Sequence, residues 1–312
     1  NQNSITWHMD QPDENDVYEA VNRASGSKHC EPKNTQIAFF GGSFTALDRE
    51  YMLSLLKAAK NIANEYGLAG IRISTRPDCI DTEILSLLKE YGVKAIELGA
   101  QSMCDDVLEA NKRGHTALDA EKASELIKKH GFELGLQMMT GLYKDSREKT
   151  LYTAQKIIGL RPGTVRIYPA VVLKDTLLEH PLEKGDYKAQ TIDEAAEICS
   201  VLIPMFENEG IKVIRVGLHA EETIKEEMVA GPFHPAFKEI CLSRIFHKRL
   251  KREILDKLEK NSGIKYNIRV NPKTISVALG QKKSALKDLF DKGYYISFIQ
   301  DEKVAINEFE LE

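Results

Sequence analysis

Residues Ala95–Thr116 read AIELGAQSMCDDVLEANKRGHT, and this stretch decides the fold. Ala95–Leu98 is a short buried strand with little polar alternation. Gly99–Ala100–Gln101–Ser102 is a small-residue turn, and Asp105–Asp106 opens a helix with acidic residues in its first turn. Strand, polar turn and helix make one unit of an α/β barrel, where sites gather at the carboxyl ends of the strands. Gln101 and Ser102 are at that end, and Arg113 can reach the same rim from beyond the helix.

Similar units follow on both sides. Upstream, the strand Gln36–Phe40 leads into Gly41–Gly42–Ser43, and two glycines there let backbone come close to a ligand. A helix over Asp48–Glu65 and the strand Gly70–Thr75 follow, the latter ending in Arg76–Pro77–Asp78. Downstream come a helix from Leu118 to His130, the strand Glu133–Met139 and the strand Thr164–Pro169. A helix over Asp193–Asn208 with Pro204 inside it precedes a last strand, Ile211–Leu218.

The 312 residues carry a net charge of −4 and no apolar run near the roughly 18 residues a membrane span needs. No signal-peptide pattern is present, so the expected location is the cytoplasm. Cys30, Cys79, Cys104, Cys199 and Cys241 are scattered, so none pairs locally as metal ligands, and reduced thiols are expected. Glu221–Pro235 is a composition break ending in Gly-Pro-Phe-His-Pro, where His234 reads as a solvated linker residue or one facing substrate.

Beyond it lies a small basic module, with a helix Arg244–Leu258, a turn at Asn261–Gly263, a strand Tyr266–Val270, helices Pro272–Leu279 and Ser284–Asp291, and strands at Tyr294–Ile299 and Val304–Ile306. From Cys241 to Lys292 there are 14 Lys and Arg against 5 Asp and Glu, about +9, which leaves about −13 for the rest of the chain. That asymmetry points the tail toward an anionic partner such as RNA, with Arg249, Lys251, Arg252, Lys282 and Lys283 as candidate phosphate contacts.

The blocks also carry a resemblance. Gly41-Gly-Ser43, Ser74-Thr-Arg-Pro-Asp78, Glu97-Leu-Gly-Ala-Gln-Ser102, Asn111-Lys-Arg-Gly-His-Thr116, Leu134-Gly-Leu-Gln-Met-Met-Thr-Gly141 and Val165-Arg-Ile-Tyr-Pro169 resemble, in order, the motifs of radical S-adenosylmethionine (SAM) enzymes. The resemblance runs from about Gln36 to Leu218. It is strongest to the radical SAM domain of the Elongator catalytic subunit and its shorter bacterial relatives, and more distant to oxygen-independent coproporphyrinogen III oxidase. It implies a partial (β/α)6-type TIM-like barrel of class α/β, followed by the small basic α+β module. The expected domains are 1–222 for the barrel, 223–240 for a linker or lid and 241–312 for the module.

The resemblance also implies a four-iron four-sulfur cluster, SAM and an electron donor such as flavodoxin or ferredoxin, giving a 5′-deoxyadenosyl radical that abstracts hydrogen from substrate. By it, Gly41, Gly42 and Ser43 hold the SAM amine and Arg113 its carboxylate. Ser74, Gln101 and Gln137 contact the ribose, and Met139 and Tyr168 line the adenine. Ser74 stands where the Elongator family has Glu, so that contact lacks charge. Asn1-Gln-Asn-Ser4 resembles the run after the family's cluster loop, so the first strand and three cluster cysteines are expected upstream of Asn1. RNA or tRNA is the implied substrate. The competing readings are a coproporphyrinogen oxidase and a cluster-free barrel that binds RNA.

Overall fold

The computed structural model describes residues 11–27, 30–218, 222–253 and 265–312. A helix α1 (Glu14–Ser25) precedes alternating strands and helices: β1 (Gln36–Phe39), α2 (Arg49–Glu65), β2 (Gly70–Thr75), α3 (Thr82–Glu90), β3 (Val93–Gln101) and α4 (Asp105–Ala110). There follow α5 (Ala117–Lys129), β4 (Glu133–Thr140), α6 (Arg147–Gly159), β5 (Thr164–Pro169), β6 (Val172–Leu173), α7 (Glu179–Glu183), α8 (Ile192–Glu207) and β7 (Lys212–Val216).

Six of these strands form one sheet in the order β1-β2-β3-β4-β5-β7, every pair parallel. The sheet curls into the expected partial barrel. Local chemistry sets the helix starts: Asp48, Asp81 and Ser146 accept first-turn amides at α2, α3 and α6. Reciprocal capping boxes open α1, α5 and α8 through Asp13 with Asp16, Thr116 with Asp119, and Thr191 with Glu194.

Strand alternation divides the sheet's faces. Ile71, Ile73, Ile96, Leu98, Leu134, Leu136, Val165 and Ile167 enter one core with Leu56, Leu88, Ile127, Ile157 and Phe206 from the covering helices. Each such fully buried side chain contributes about 1.5–3 kcal/mol by leaving water. The alternate residues, Arg72, Ser74, Glu97, Gln137, Arg166 and Tyr168, therefore point to the inner side of the curl.

β3 is longer than expected, because the small residues Gly99 and Ala100 continue the strand through a register irregularity between Leu98 and Gln101. The stretch expected as a linker carries α9 (Glu222–Glu227) and β8 (Met228–Ala230), and β8 pairs antiparallel with β6. His234 Nδ1 accepts the Ala236 amide at 3.0 Å just before α10 (Phe237–Glu253). Along α10, Phe237 and Cys241 lie in the barrel core, and Phe246 and Leu250 in a second core with Ile268, Val270, Leu289 and Ile296. One helix thus joins the barrel to the C-terminal module.

The expected helix end at Leu258 and the turn at Asn261–Gly263 lie outside the described residues. The module continues with β9 (Lys265–Val270), α11 (Ile275–Leu279), α12 (Ser284–Asp291), β10 (Tyr295–Gln300) and β11 (Phe309–Leu311). Its sheet order is β10-β9-β11, with β10 parallel and β11 antiparallel to β9. The last strand differs from the expected Val304–Ile306. Asn307 takes a left-handed turn (φ 67°), and only after it does the chain run beside β9, pairing Phe309 with Val270. No helix among the described residues is long and apolar enough to cross a membrane.

Candidate functional site

The inner face of the curl is organised on one carboxylate. Glu97, in the middle of β3, is 1% exposed and receives Arg166 Nε at 2.6 Å and Arg166 Nη2 at 3.2 Å. Arg72 Nη1 approaches it at 3.4 Å from β2, and Gln137 Nε2 at 3.3 Å from β4. Gln137 Nε2 also lies 3.0 Å from Ser74 Oγ, so two expected ribose contacts are linked to each other and to Glu97. Burial works to lower the Arg166 pKa, but the hydrogen bond and charge of Glu97 outweigh it and raise it. The Arg166 guanidinium also stacks over the Phe40 ring, 4.5 Å from its centroid.

Toward the carboxyl ends the groups become those expected of a ligand rim. Gly41–Gly42–Ser43 follow β1 after one residue, Phe40. Met139 and Tyr168 are register partners on β4 and β5, and Met139 packs on Val107, Leu142 and Ala170. Gln101 ends β3 in the left-handed region (φ 63°), as the register irregularity requires. Its side chain is buried, and a Cβ on Gly99 would come within 2.7 Å of its amide nitrogen. Gln101 Oε1 has no hydrogen-bond partner among the described residues. His115 is buried at the same end; its Nε2 meets the Ala100 carbonyl at 3.1 Å and its Nδ1 is unpartnered among them. An unmet buried polar atom costs about 1–3 kcal/mol, so two at one strand end mark a place that a polar ligand would complete.

Arg113 is half-buried beyond α4 and has no carboxylate partner among the described residues. Burial pushes its pKa down, and the nearby Arg76 cation adds to that. Arg76 is itself satisfied, with Nε and Nη2 on the two Asp78 oxygens at 2.9 and 2.5 Å. Among the described residues, the rim therefore holds one guanidinium already neutralised and one without an anionic partner.

All nine expected residues thus fall on the inner face or the carboxyl rim of one sheet. Sequence reading missed Glu97, Arg72, Arg166 and His115. Their signal was present for Glu97, a charged residue inside an otherwise apolar strand, which a buried carboxylate with cationic partners explains. It also missed a cavity of about 660 Å³ beside the rim, between the loop after β4 and residues 186–190. There Asp145 accepts the Gly141 amide at 2.9 Å and the Thr150 hydroxyl at 2.8 Å, while the Tyr187 hydroxyl donates to the Gly141 carbonyl at 2.6 Å. Burial, then the Asp145 charge, push the Tyr187 pKa up to about 12.

No group of three His, Cys, Asp or Glu among the described residues could hold a metal ion. Cys199 and Cys241 are buried together in the barrel core, where their mutual hydrogen bond and burial raise the Cys199 pKa well above the ordinary thiol range. The remaining three cysteines are only partly buried and lie on separate segments. These residues do not fit an iron–sulfur cluster.

A curled parallel α/β sheet with unsatisfied polar groups at its carboxyl rim defines a partial barrel with a ligand site at that rim. Residues 5–157 match the radical SAM superfamily, and residues 162–247 match the Radical SAM C-terminal domain. The chain belongs to the radical SAM superfamily of enzymes. It is similar to the tRNA uridine(34) acetyltransferase of Methanocaldococcus jannaschii, 31% identical over 186 residues that make 53% of this chain and 34% of that protein. It is also similar to Elongator complex protein 3 of Homo sapiens, 28% identical over 66% of this chain and 40% of that one. The fold matches the archaeal Elp3 of Methanocaldococcus infernus with a TM-score of 0.67 at 21% identity, covering 77% of this chain and 59% of that one. The chain spans about a third to two fifths of the length of these two curated relatives.

Proposed function

We propose that this chain forms the SAM-binding part of a cytoplasmic radical SAM enzyme that modifies RNA, with tRNA as the substrate class. The observation that carries the reading is Arg113, half-buried at the rim without an anionic partner among the described residues. A guanidinium fork matches a carboxylate in two parallel hydrogen bonds, and burial strengthens the pairing. The amino-acid carboxylate of SAM is that anion.

The other assignments follow the rim around. Backbone at Gly41, Gly42 and Ser43 would receive the amine, and Gln101, Ser74 and Gln137 the ribose hydroxyls. Gln101 Oε1 is an acceptor that lacks a donor among the described residues. Met139 and Tyr168, adjacent across β4 and β5, would flank the adenine. Glu97 would act on the ligand through others, by fixing Gln137 and Arg166 in one arrangement. Bound with a reduced cluster, SAM supplies hydrogen-atom abstraction from substrate; flavodoxin or ferredoxin is the kind of donor that would deliver the electron. The described residues provide no cluster ligands, and no step is assigned through the cluster. An RNA substrate is supported by the relatives named for tRNA modification and by the lysine-rich surface of the C-terminal module.

Calorimetric titration of SAM into the protein tests this. Arg113→Ala removes a charge-assisted pair and is expected to weaken SAM by about 1.5–3 kcal/mol, roughly 10- to 150-fold, with the fold retained. Unchanged affinity in a folded variant would reject the assignment.

A further inference from the structure

The expected RNA contacts on the basic helix are largely neutralised within the protein. Arg249 pairs with Glu308 at 2.6 Å and Glu253 at 3.4 Å, and Arg252 with Glu253 at 2.7 Å. Lys248 holds Glu197 at 2.6 Å, Arg269 meets Asp301 and Glu310, and Lys292 pairs with Asp288. Of these, Arg249 with Glu308 and Arg269 with Asp301 and Glu310 cross between elements of the module, and Lys248 with Glu197 links α10 to α8.

A different cluster is left uncompensated. Lys265 at the start of β9, and Lys283 and Lys287 at the start and middle of α12, are exposed and have no acidic partner among the described residues. They rim a cavity of about 440 Å³ whose wall includes Leu286, Phe290 and Tyr295. Phe290 is 59% exposed and Tyr295 39%, large values for aromatic rings. The two rings meet edge to face, 5.3 Å apart at 88°, which leaves ring faces open to a further planar group. Tyr295 and Lys265 are direct register partners across β10 and β9, so an aromatic face and a cation stand side by side.

We infer that this pocket is a binding site for single-stranded RNA, stacking an unpaired base on Phe290 and Tyr295 while Lys265, Lys283 and Lys287 hold the adjoining phosphates. Aromatic rings interleaved with cations suit an unpaired base on its backbone, since every base has a π-face and every nucleotide a charge. The concavity separates this from a lipid surface, which takes aromatic groups that protrude. It rests on the reading that RNA is the substrate and names where the strand would be held, away from the SAM rim.

The test is fluorescence anisotropy of a short labelled oligouridine with the whole chain, over a salt series. Phe290→Ala and Tyr295→Ala are each expected to weaken binding by about 5- to 100-fold and to leave the salt slope unchanged. Lys283→Glu with Lys287→Glu should weaken it and make the log–log slope shallower by about 1.4, two contacts at about 0.7 each. Arg249→Ala should leave the slope unchanged, because its charge is already matched inside the module. Both aromatic positions are exposed, so the fold is expected to survive, and circular dichroism checks it. Wild-type affinity in the aromatic variants overturns the inference while the RNA reading stands. Phe290-dependent sedimentation with phosphatidylserine vesicles, beside RNA binding indifferent to Phe290, overturns it in favour of a membrane surface. If neither oligouridine nor tRNA binds the unaltered protein at low salt, this inference and the RNA substrate fall together, and the SAM titration still decides the rim.

Discussion

Replacing Glu97 by Gln keeps the volume of the side chain and removes its charge. The carboxylate is 1% exposed and lies between two guanidiniums whose side chains are each 16% exposed. Arg72 has a second acid, Glu133, at 3.2 Å, but Arg166 has only Glu97 among the described residues. The substitution therefore strands Arg166 as a largely buried cation, with the Phe40 ring and the Tyr168 hydroxyl as its remaining electrostatic contacts. Breaking a buried pair from one side costs about 3–5 kcal/mol, because the abandoned charge keeps its desolvation penalty. For a domain of this size that corresponds to a fall in Tm of roughly 6–20 °C. Urea and thermal unfolding followed by circular dichroism measure it. Adding Arg166→Met to Glu97→Gln should recover much of the loss, since a buried ion pair replaced as a unit by apolar groups is often neutral. A single variant that loses less than about 1 kcal/mol, or a double variant no more stable than the single one, would refute the account of Glu97 as the charge centre of the inner face.

Two further outcomes concern the loop after β4 and the C-terminal module. Gly141 sits at φ +69°, and a Cβ there would lie 2.5 Å from the Gln190 side chain, which accepts from the Thr140 hydroxyl at 3.1 Å. Gly141→Ala should cost about 1–3 kcal/mol, from the left-handed backbone and the lost hydrogen bond, and a neutral result would show that the loop has another conformation available. In the module, burial holds the His247 imidazole below its ordinary 6.5, with Lys292 adding, against the Ala278 carbonyl at 2.8 Å and Asp288. Below pH 6.5 the unfolded chain takes up a proton that the folded chain resists. Stability is thus fully present above that pH and falls as the pH drops toward the folded value, at up to about 1.4 kcal/mol per pH unit. His247→Asn should flatten that dependence in hydrogen exchange of β9 and β10, and an unchanged slope would assign it to other groups.

Much of this protein was legible in its residues because much of it is locally determined. Asp48, Asp81 and Ser146 start helices through amides two or three residues away, and the helix Ser284–Asp291, which no side chain caps, was readable from the turn Gly280–Lys283 before it. The order of strands followed from apolar runs ending in polar turns, and in a parallel sheet that order puts Gly41, Ser74, Gln101 and Tyr168 at one rim. What the residues could not show is which side chains meet across strands. Arg72 and Arg166 stand 25 and 69 positions from Glu97, and only register and the curl of the sheet bring all three together. Arg249 reads as a free cation until Glu308, 59 positions on, folds against it, while Lys283 and Lys287 read the same and have no acidic partner among the described residues. The closing strand was misplaced for the same reason: a turn at Asn307, not the apolar run before it, decides where the chain can pair with β9. Backbone capping acts over a few residues and is written in them; electrostatic partnership and strand pairing act through space, and here the tertiary structure alone decides them.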